Sequence, residues 1–493
     1  MKNPHEQSAV RGVSLLTAMT LMFLTGMIIP ENVSQTEPVN LGSDLELFID
    51  YHLIKSTDNL RLKLQTPVDE GPVLFFDNPW EGIFSGYTTI IRDKDLFRLY
   101  YRGVPSAGSD GSDAEVTCYA ESRDGINWTK PETGLYEYEG SLNNNIILAH
   151  AAPATHNFCP FKDSNPAMND NYPYKALGGT HKGLFAYGSS DGIKWTRMYD
   201  ETVVKGAEFD SQNVSFWSES EKTYVCYFRK WKKAGDKQIR SVGRSVSKDF
   251  LNWSPPVLMS FGDTRPEELY TNQTSPYYRA PHIYIAIAAR FFPGKQIITE
   301  EQARRLNVNP SYYHDCSDAV LLTSRGGTSY QRTFMEGFLR PGIGLANWVS
   351  RTNYPALNVV QTGENEMSFY VNQNYAQPGS HLHRYSLRID GFTSLHAGYG
   401  PGEMITKPFR FTGHYLVVNF STSAAGYLLF ELLDSNGNII PGFSMDDFKT
   451  LTGNEISRRA EWKNGAVLSS LQGKTVLMRV RMKDADLFSI KFE

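Results

Sequence analysis

The 493-residue sequence has little cysteine, no excess of positive charge and almost no helical patterning. Its four cysteines, Cys118, Cys159, Cys226 and Cys316, stand singly with no C-x-x-C pair. That spacing argues against zinc, and no metal ligand set is assigned. Cys118 and Cys226 fall inside apolar strand-like runs, where a buried free thiol is the simplest role. With 49 Lys and Arg against 53 Asp and Glu the formal net charge is −4, so no basic face is expected and no nucleic-acid partner. Thr299-Glu-Glu-Gln-Ala-Arg-Arg-Leu306 is the one clear helical pattern, read as a surface insertion. The single long hydrophobic run is Gly12 to Ile29, behind Lys2 and Arg11. It has the length of a signal h-region or a short anchor, and no small-x-small cleavage site follows it. Residues 1–30 are therefore expected to be an export signal or a retained anchor, and membrane contact is expected through that segment alone.

Aromatic residues and turns are abundant: 27 Tyr, 28 Phe and 8 Trp, a stock that suits β-sheet and sugar-stacking surfaces alike. Gly183-Leu-Phe-Ala-Tyr-Gly-Ser-Ser-Asp-Gly-Ile-Lys-Trp195 reads as an apolar strand followed by a tight Asp-Gly turn. The phrase recurs as Ser122-Arg-Asp-Gly-Ile-Asn-Trp128 and Ser247-Lys-Asp-Phe-Leu-Asn-Trp253. Ser324-Arg-Gly-Gly-Thr-Ser-Tyr330 is a weaker copy and Leu387-Arg-Ile-Asp-Gly-Phe392 a degenerate one. Five copies about 60–75 residues apart, each after a β-rich run, mark a radial repeat. The expected fold class is all-β: a five-bladed β-propeller over residues 45–397, followed by a C-terminal β-sandwich over 398–493. Residues 31–44 form the linker. The sandwich reading rests on short strands such as Tyr427-Leu-Leu-Phe-Glu-Leu-Leu433 and on the Asp434-Ser-Asn-Gly437 hairpin turn. The strand Asp44 to Ile54 is expected to close the ring by pairing with the last blade.

The innermost strands of a propeller converge on its axis, so one mouth of that funnel is a ready polar pocket. Carboxylates heading strands of different blades meet there, as glycoside hydrolysis requires: one acid protonates the leaving oxygen, and a second carboxylate activates water or attacks. Asp210, ahead of Gln212 and Asn213, is the first-choice base or nucleophile, with an Asx-turn cap as its competing role. Glu268 is the candidate general acid, beside Tyr270 and the blade wall, in the run that includes Asn272. Glu81 and Asp77 are the alternative base, and Asp318 is a further carboxylate on a strand farther from the axis. His156 and Asn157 are placed to bind a sugar hydroxyl, and Gln212, Asn213, Tyr270, Asn272 and Asp318 are expected among the substrate contacts. Arg279 and Arg351 are candidate anion clamps, and Trp80, Trp348 and Tyr354 are stacking candidates. No cofactor is required; a calcium ion in the central channel is compatible with converging carboxylates and carbonyls.

The repeat phrase, five blades and a C-terminal β-module together resemble the five-bladed glycoside hydrolases of the fructanase/arabinanase type. More closely, the chain is similar to exported bacterial proteins resembling the N-terminal domains of those enzymes. The resemblance lies in the layout of nearly the whole mature chain; the Arg-Asp-Pro and Glu-Cys pairs of fructanases are absent. It implies an exported glycosidase acting on a terminal sugar, with a carbohydrate as partner. The competing readings are a non-catalytic carbohydrate-binding propeller and a glycoside phosphorylase on the same scaffold.

Overall fold

The structure is a computed structural model that describes residues 37–493 other than Ala107, Asn169 and Asn464. The expected export segment, residues 1–30, lies outside the described residues. Five antiparallel sheets follow one another in chain order. The first runs outward from Gly86–Asp93 through Leu96–Gly103 and Val116–Ser122 to Ile146–Leu148. The second holds Cys159–Lys162, Tyr174–Thr180, Gly183–Ser189 and Thr196–Arg197, and the third Val214–Ser218, Thr223–Ala234, Lys237–Ser247 and Val257–Leu258. In the fourth, Leu269–Thr271 and Thr274–Tyr277 both pair with Ala280–Phe292, which pairs in turn with Cys316–Ser324. In the fifth, Tyr354–Pro355 and Val360–Gln361 lie on Glu366–Gln373, followed by His381–Arg388. A parallel bridge from Thr89 to Leu357 joins the first inner strand to the last. The fold is a five-bladed propeller.

The repeated phrase sits after the third strand of each blade, and its residues explain the repetition. Ser122 Oγ accepts from the amides of Asp124 and Gly125, while Asp124 Oδ1 accepts from those of Ile126 and Asn127. Ser189 with Asp191 repeats this wiring, and in the third copy Ser247 Oγ accepts from Asp249 N while Asp249 Oδ1 accepts from the amides of Leu251 and Asn252. The turn also locks onto the preceding blade. Tyr370 Oη of blade five donates to Gly125 O, and Tyr100 Oη of blade one donates to Gly192 O. Trp128 and Trp195 stand edge-on to the same two tyrosines. Both glycines have φ +76°, and a Cβ there would meet the tyrosine oxygen at 2.9 and 2.8 Å, so only glycine fits. In the third copy Phe250 takes the left-handed position (φ +69°) and packs its own ring against Phe161. The fourth copy lacks the aspartate; Glu221 of blade three reaches across to accept from Gly327 N at 3.1 Å.

Ring closure differs from the expectation. The outer strand of blade five is Val68–Phe75, paired with His381–Arg388. The expected closing segment instead joins the C-terminal sheet: Glu46–Leu47 pairs with Leu477–Phe492, and Ile54–Asp58 with Gly402–Thr406. Leu60–Leu64 pairs with Thr393–Ala397 in the same sheet, so residues 46–64 leave the propeller span. An alternating apolar run specifies a buried strand face but not which sheet buries it. The C-terminal part is all-β, organised on Leu416–Leu433 against Leu477–Phe492, with Phe48, Phe430, Met478 and Phe492 buried in one core. Asp390, from the degenerate turn, pins this part to the ring. It accepts from Tyr277 Oη, Arg279 Nη1 and Ser489 Oγ, each at 2.7 Å. The expected helix is present as Glu300–Arg305, with a Thr299 capping box closed by Gln302. It lies between two strands of blade four, and the segment after it carries Tyr312 to the mouth of the ring.

Candidate functional site at the propeller mouth

All five inner strands begin at one end of the axial channel. Tyr87, His156, Asp210, Tyr270 and Arg351 stand at or just before those beginnings. The channel is closed behind them by uncharged side chains. Gln273 Nε2 donates to Gln212 Oε1 (2.6 Å) and to Pro355 O (2.7 Å), and Gln212 Nε2 donates to Thr89 Oγ1 (3.0 Å). Cys159 joins the plug 3.5 Å from Thr89 Oγ1, its thiol pushed up to about 11 by burial. These mutually bonded groups offer no carboxylate. The mouth is therefore blind.

The amides expected to meet a sugar serve the backbone instead. Asn157 Nδ2 donates to Gly179 O and Ser211 O, each at 2.8 Å, and Asn213 Nδ2 donates to Phe209 O (2.9 Å) and Ser211 O (2.8 Å). Asn272 Oδ1 accepts from Thr274 N. Carbonyls at strand starts have no ladder partner, and buried ones must be satisfied by something.

Above the plug, a cavity of about 40 Å³ is lined by Tyr87, Arg102, Asp110, Glu115, His156, Tyr270, Tyr312, Arg351 and Tyr375, with Phe84. Arg102, at the end of the second strand of blade one, lies over the Tyr87 ring at 4.6 Å and donates to Phe84 O (3.0 Å) and Tyr375 Oη (3.3 Å). Glu115 Oε1 is 2.7 Å from His156 Nδ1 and 3.8 Å from Arg102 Nη1. Gly111 N donates to Glu115 Oε2 at 2.9 Å, folding the loop that carries Asp110 back over the pair. An oxygen of Asp110, an oxygen of Glu115 and a ring nitrogen of His156 lie within 4.8 Å of one another. Burial pushes the His156 imidazole below its usual range, with the Glu115 contact as the main opposing influence. His181, Glu208 and Asp210 form a second such trio. Both trios have metal-ligand types, but each already faces a guanidinium, Arg102 or Arg229, which supplies the positive charge.

Asp210 and Glu268 do not line this cavity; both carboxylates are held in ion pairs beside it. The Asp210 carboxylate bonds Arg229, and only its backbone carbonyl faces the axis, accepting from His156 Nε2 (3.0 Å) and Tyr87 Oη (3.3 Å). Glu268 pairs with Arg240 at 2.9 Å and accepts from Arg240 N at 3.1 Å, an ionic setting rather than the apolar wall expected for it. Both arginines lie over Tyr270, at 5.5 and 5.4 Å. Arg351 lies over Tyr270 (5.5 Å) and Tyr312 (5.1 Å) and donates to Tyr312 Oη at 3.1 Å.

The remaining candidates lie elsewhere. Glu81 is fully buried between Tyr101 Oη and Lys130 Nζ (2.7 Å), and Asp77 shares that lysine at 3.1 Å. Trp80 donates to Asn145 Oδ1 at the outer side of blade one. A carboxylate sealed in such a pair cannot meet a substrate at the axis. Arg279 follows the far end of the blade-four inner strand and is engaged by Asp390. Asp318 is held by Arg290 at 2.6 Å, and the Trp348 indole donates to Gly342 O. Tyr354 does face the site. Sequence reasoning missed Tyr87, Arg102, Asp110, Glu115, Tyr312 and Tyr375. The one legible signal was the acid-bearing Ser-Gly loop from Ser106 to Glu115 directly after a strand.

No family model matches the sequence, and no curated protein matches it. The chain is similar to several solved structures. A glycoside hydrolase shares 10% identity over 66% of this chain and 92% of its own, with TM-score 0.44. The beta-1,2-mannobiose phosphorylase of Listeria innocua shares 10% over 66% and 97%, with TM-score 0.42. A fructofuranosidase of Schwanniomyces occidentalis shares 12% over 85% and 96%, with TM-score 0.37. The five-bladed architecture rests on the strand pairing of the chain itself.

Proposed function

We propose that this chain is an exported, exo-acting glycoside hydrolase that removes a terminal sugar from an oligosaccharide or polysaccharide. One observation carries the reading: Asp110, Glu115 and His156 gather within 4.8 Å of one another in a blind mouth lined by tyrosines. The proton held between Glu115 and His156 is the acid for the leaving oxygen, and Asp110 is the base or nucleophile. Carboxylate oxygens this close fit the short separation of retaining enzymes, about 5 Å, better than the wider gap that admits a water. Tyrosine faces supply stacking for a sugar ring. A closed floor admits a chain end rather than a chain middle, which is the basis for exo action. Residues 1–30 supply export, and the C-terminal all-β part is read as a β-sandwich accessory module. A second reading, a glycoside phosphorylase, draws on the arginines at the mouth: Arg102, Arg229, Arg240 and Arg351.

The test is a reducing-sugar screen of the mature protein against plant, algal and host glycans, with and without inorganic phosphate, run beside Glu115→Gln. Monosaccharide release by the wild type alone, independent of phosphate, supports the hydrolase. A sugar phosphate formed only when phosphate is present supports the phosphorylase. Glycan binding without any release returns the propeller to a lectin-like role.

A further inference from the structure

Between blades one and five, a recess of about 20 Å³ is lined by Gly86, Tyr87 and Arg102 on one side and by Arg351, Tyr354, Asn372 and Tyr375 on the other. The residues around it hold buried polar atoms that bond nothing in the protein: Tyr354 Oη, Nδ2 and Oδ1 of Asn372, and Nε of both Arg102 and Arg351. Tyr354, Asn372 and Arg102 are only 8, 4 and 7% exposed. A buried polar group left unpaired destabilises a fold. Five such atoms belong to four of the residues around one small space, which is thus walled by groups with hydrogen-bonding capacity to spare. Four of the five carry a hydrogen to donate; only Asn372 Oδ1 is purely an acceptor. Two guanidiniums add positive charge. No carboxylate lines the recess, and Arg351 forms no ion pair among the described residues. The complement of such a lining is an oxyanion, bound by charge-assisted hydrogen bonds.

We propose that this recess reads the carboxylate of a terminal uronic acid whose ring sits in the adjoining mouth. The proposal rests on the glycosidase reading of that mouth and names its substrate class. Size accords with the assignment: about 20 Å³ is little more than the room one water needs, room for the oxygens of a carboxylate carried on a ring in the mouth. Arg102 links the two spaces, since it lines both the recess and the cavity holding Asp110 and Glu115.

The experiment is calorimetric titration of the mature protein with D-glucuronate and D-galacturonate against glucose and galactose, and separately with inorganic phosphate. Turnover of uronosyl-terminated oligosaccharides and their neutral counterparts is measured beside it. Arg351→Gln and Tyr354→Phe are carried through both assays. The Tyr354 hydroxyl bonds nothing in the protein, so its removal leaves the fold intact. A uronate should bind at least about tenfold more tightly than its neutral sugar, a margin of one charge-assisted hydrogen bond. The preference should vanish in Arg351→Gln and shrink in Tyr354→Phe. Equal binding of acidic and neutral sugars, or a preference that survives both variants, overturns the proposal. So does phosphate binding that Arg351→Gln abolishes while uronates never bind. Uronate binding without cleavage of any glycan would sink the glycosidase reading and leave the recess as an acidic-sugar site.

Discussion

His156 Nδ1 lies 2.7 Å from Glu115 Oε1 while its Nε2 lies 3.0 Å from the carbonyl oxygen of Asp210. A carbonyl only accepts, so Nε2 carries a hydrogen, and the close approach of a carboxyl oxygen to Nδ1 requires a second proton between them. The pair thus stores a proton at the wall of the cavity. Glu115→Gln keeps the shape and removes the acidity. Turnover should fall by about 100-fold or more, and the low-field imidazole N–H resonance of the pair should disappear; the thermal midpoint should fall as well, because buried Arg102 loses its carboxylate partner. Wild-type turnover in this variant would remove the pair from the chemistry.

Asp110 and Asp210 separate catalysis from architecture. Asp110 is exposed, makes no ion pair among the described residues and faces the acid pair, whereas the Asp210 carboxylate is committed to Arg229. Asp110→Asn should lower kcat by about 100-fold or more while leaving stability alone. Asp210→Asn should act mainly on the fold, because it leaves the buried Arg229 uncompensated, at a cost of about 3 kcal/mol. Measuring kcat and thermal midpoint for both variants decides. A reversed pattern would return the base to Asp210.

The five blades were legible because the Ser-x-Asp-Gly turn has a local cause: a hydroxyl and a carboxylate that satisfy consecutive amides. The mouth was legible only in part. Asp210, Glu268, His156, Tyr270, Tyr354 and Arg351 head inner strands, and topology brings strand heads together. Arg102 and Glu115 reach the same cavity from the second and third strands of blade one through a loop whose path no periodicity encodes. Glu81 shows the converse. Its place near a strand suggested chemistry, but Lys130, 49 positions away, had already claimed it.

Acid should loosen the turns before the cores. Backbone amides and neighbouring side chains hold Asp124, Asp191 and Asp249 below the usual carboxylate range, outweighing the opposing effect of burial. A carboxylate depressed in the folded state makes the unfolded chain the better proton acceptor. Its stabilisation is therefore complete above the unfolded value, about 3.9, and is lost as pH falls through the lower folded value. Thermal midpoints from pH 7 down to pH 3 should drop more steeply for the wild type than for the triple Asp→Asn variant, which starts lower. Parallel curves would mean that these turns contribute nothing to acid sensitivity.

The latch between blades can be tested at one pair of residues. Gly192 contributes twice: its φ of +76° suits no side chain well, and its carbonyl accepts Tyr100 Oη at 3.0 Å. Gly192→Ala adds a Cβ 2.8 Å from that hydroxyl, so about 1 kcal/mol of backbone strain is joined by a steric clash. Tyr100→Phe alone removes one buried hydrogen bond, about 1 kcal/mol, and leaves the ring against Trp195. In the double variant the offending oxygen is gone, and the backbone strain and a 3.1 Å approach to Arg98 Nη1 should remain from the alanine. The two losses should therefore sum to more than the double variant shows, by at least about 0.5 kcal/mol, as expected for residues in contact. Denaturant midpoints of the four proteins measure that difference. Strict additivity would mean that the turn of blade two holds its shape without help from blade one, and that the repeat is wired within each blade rather than between blades.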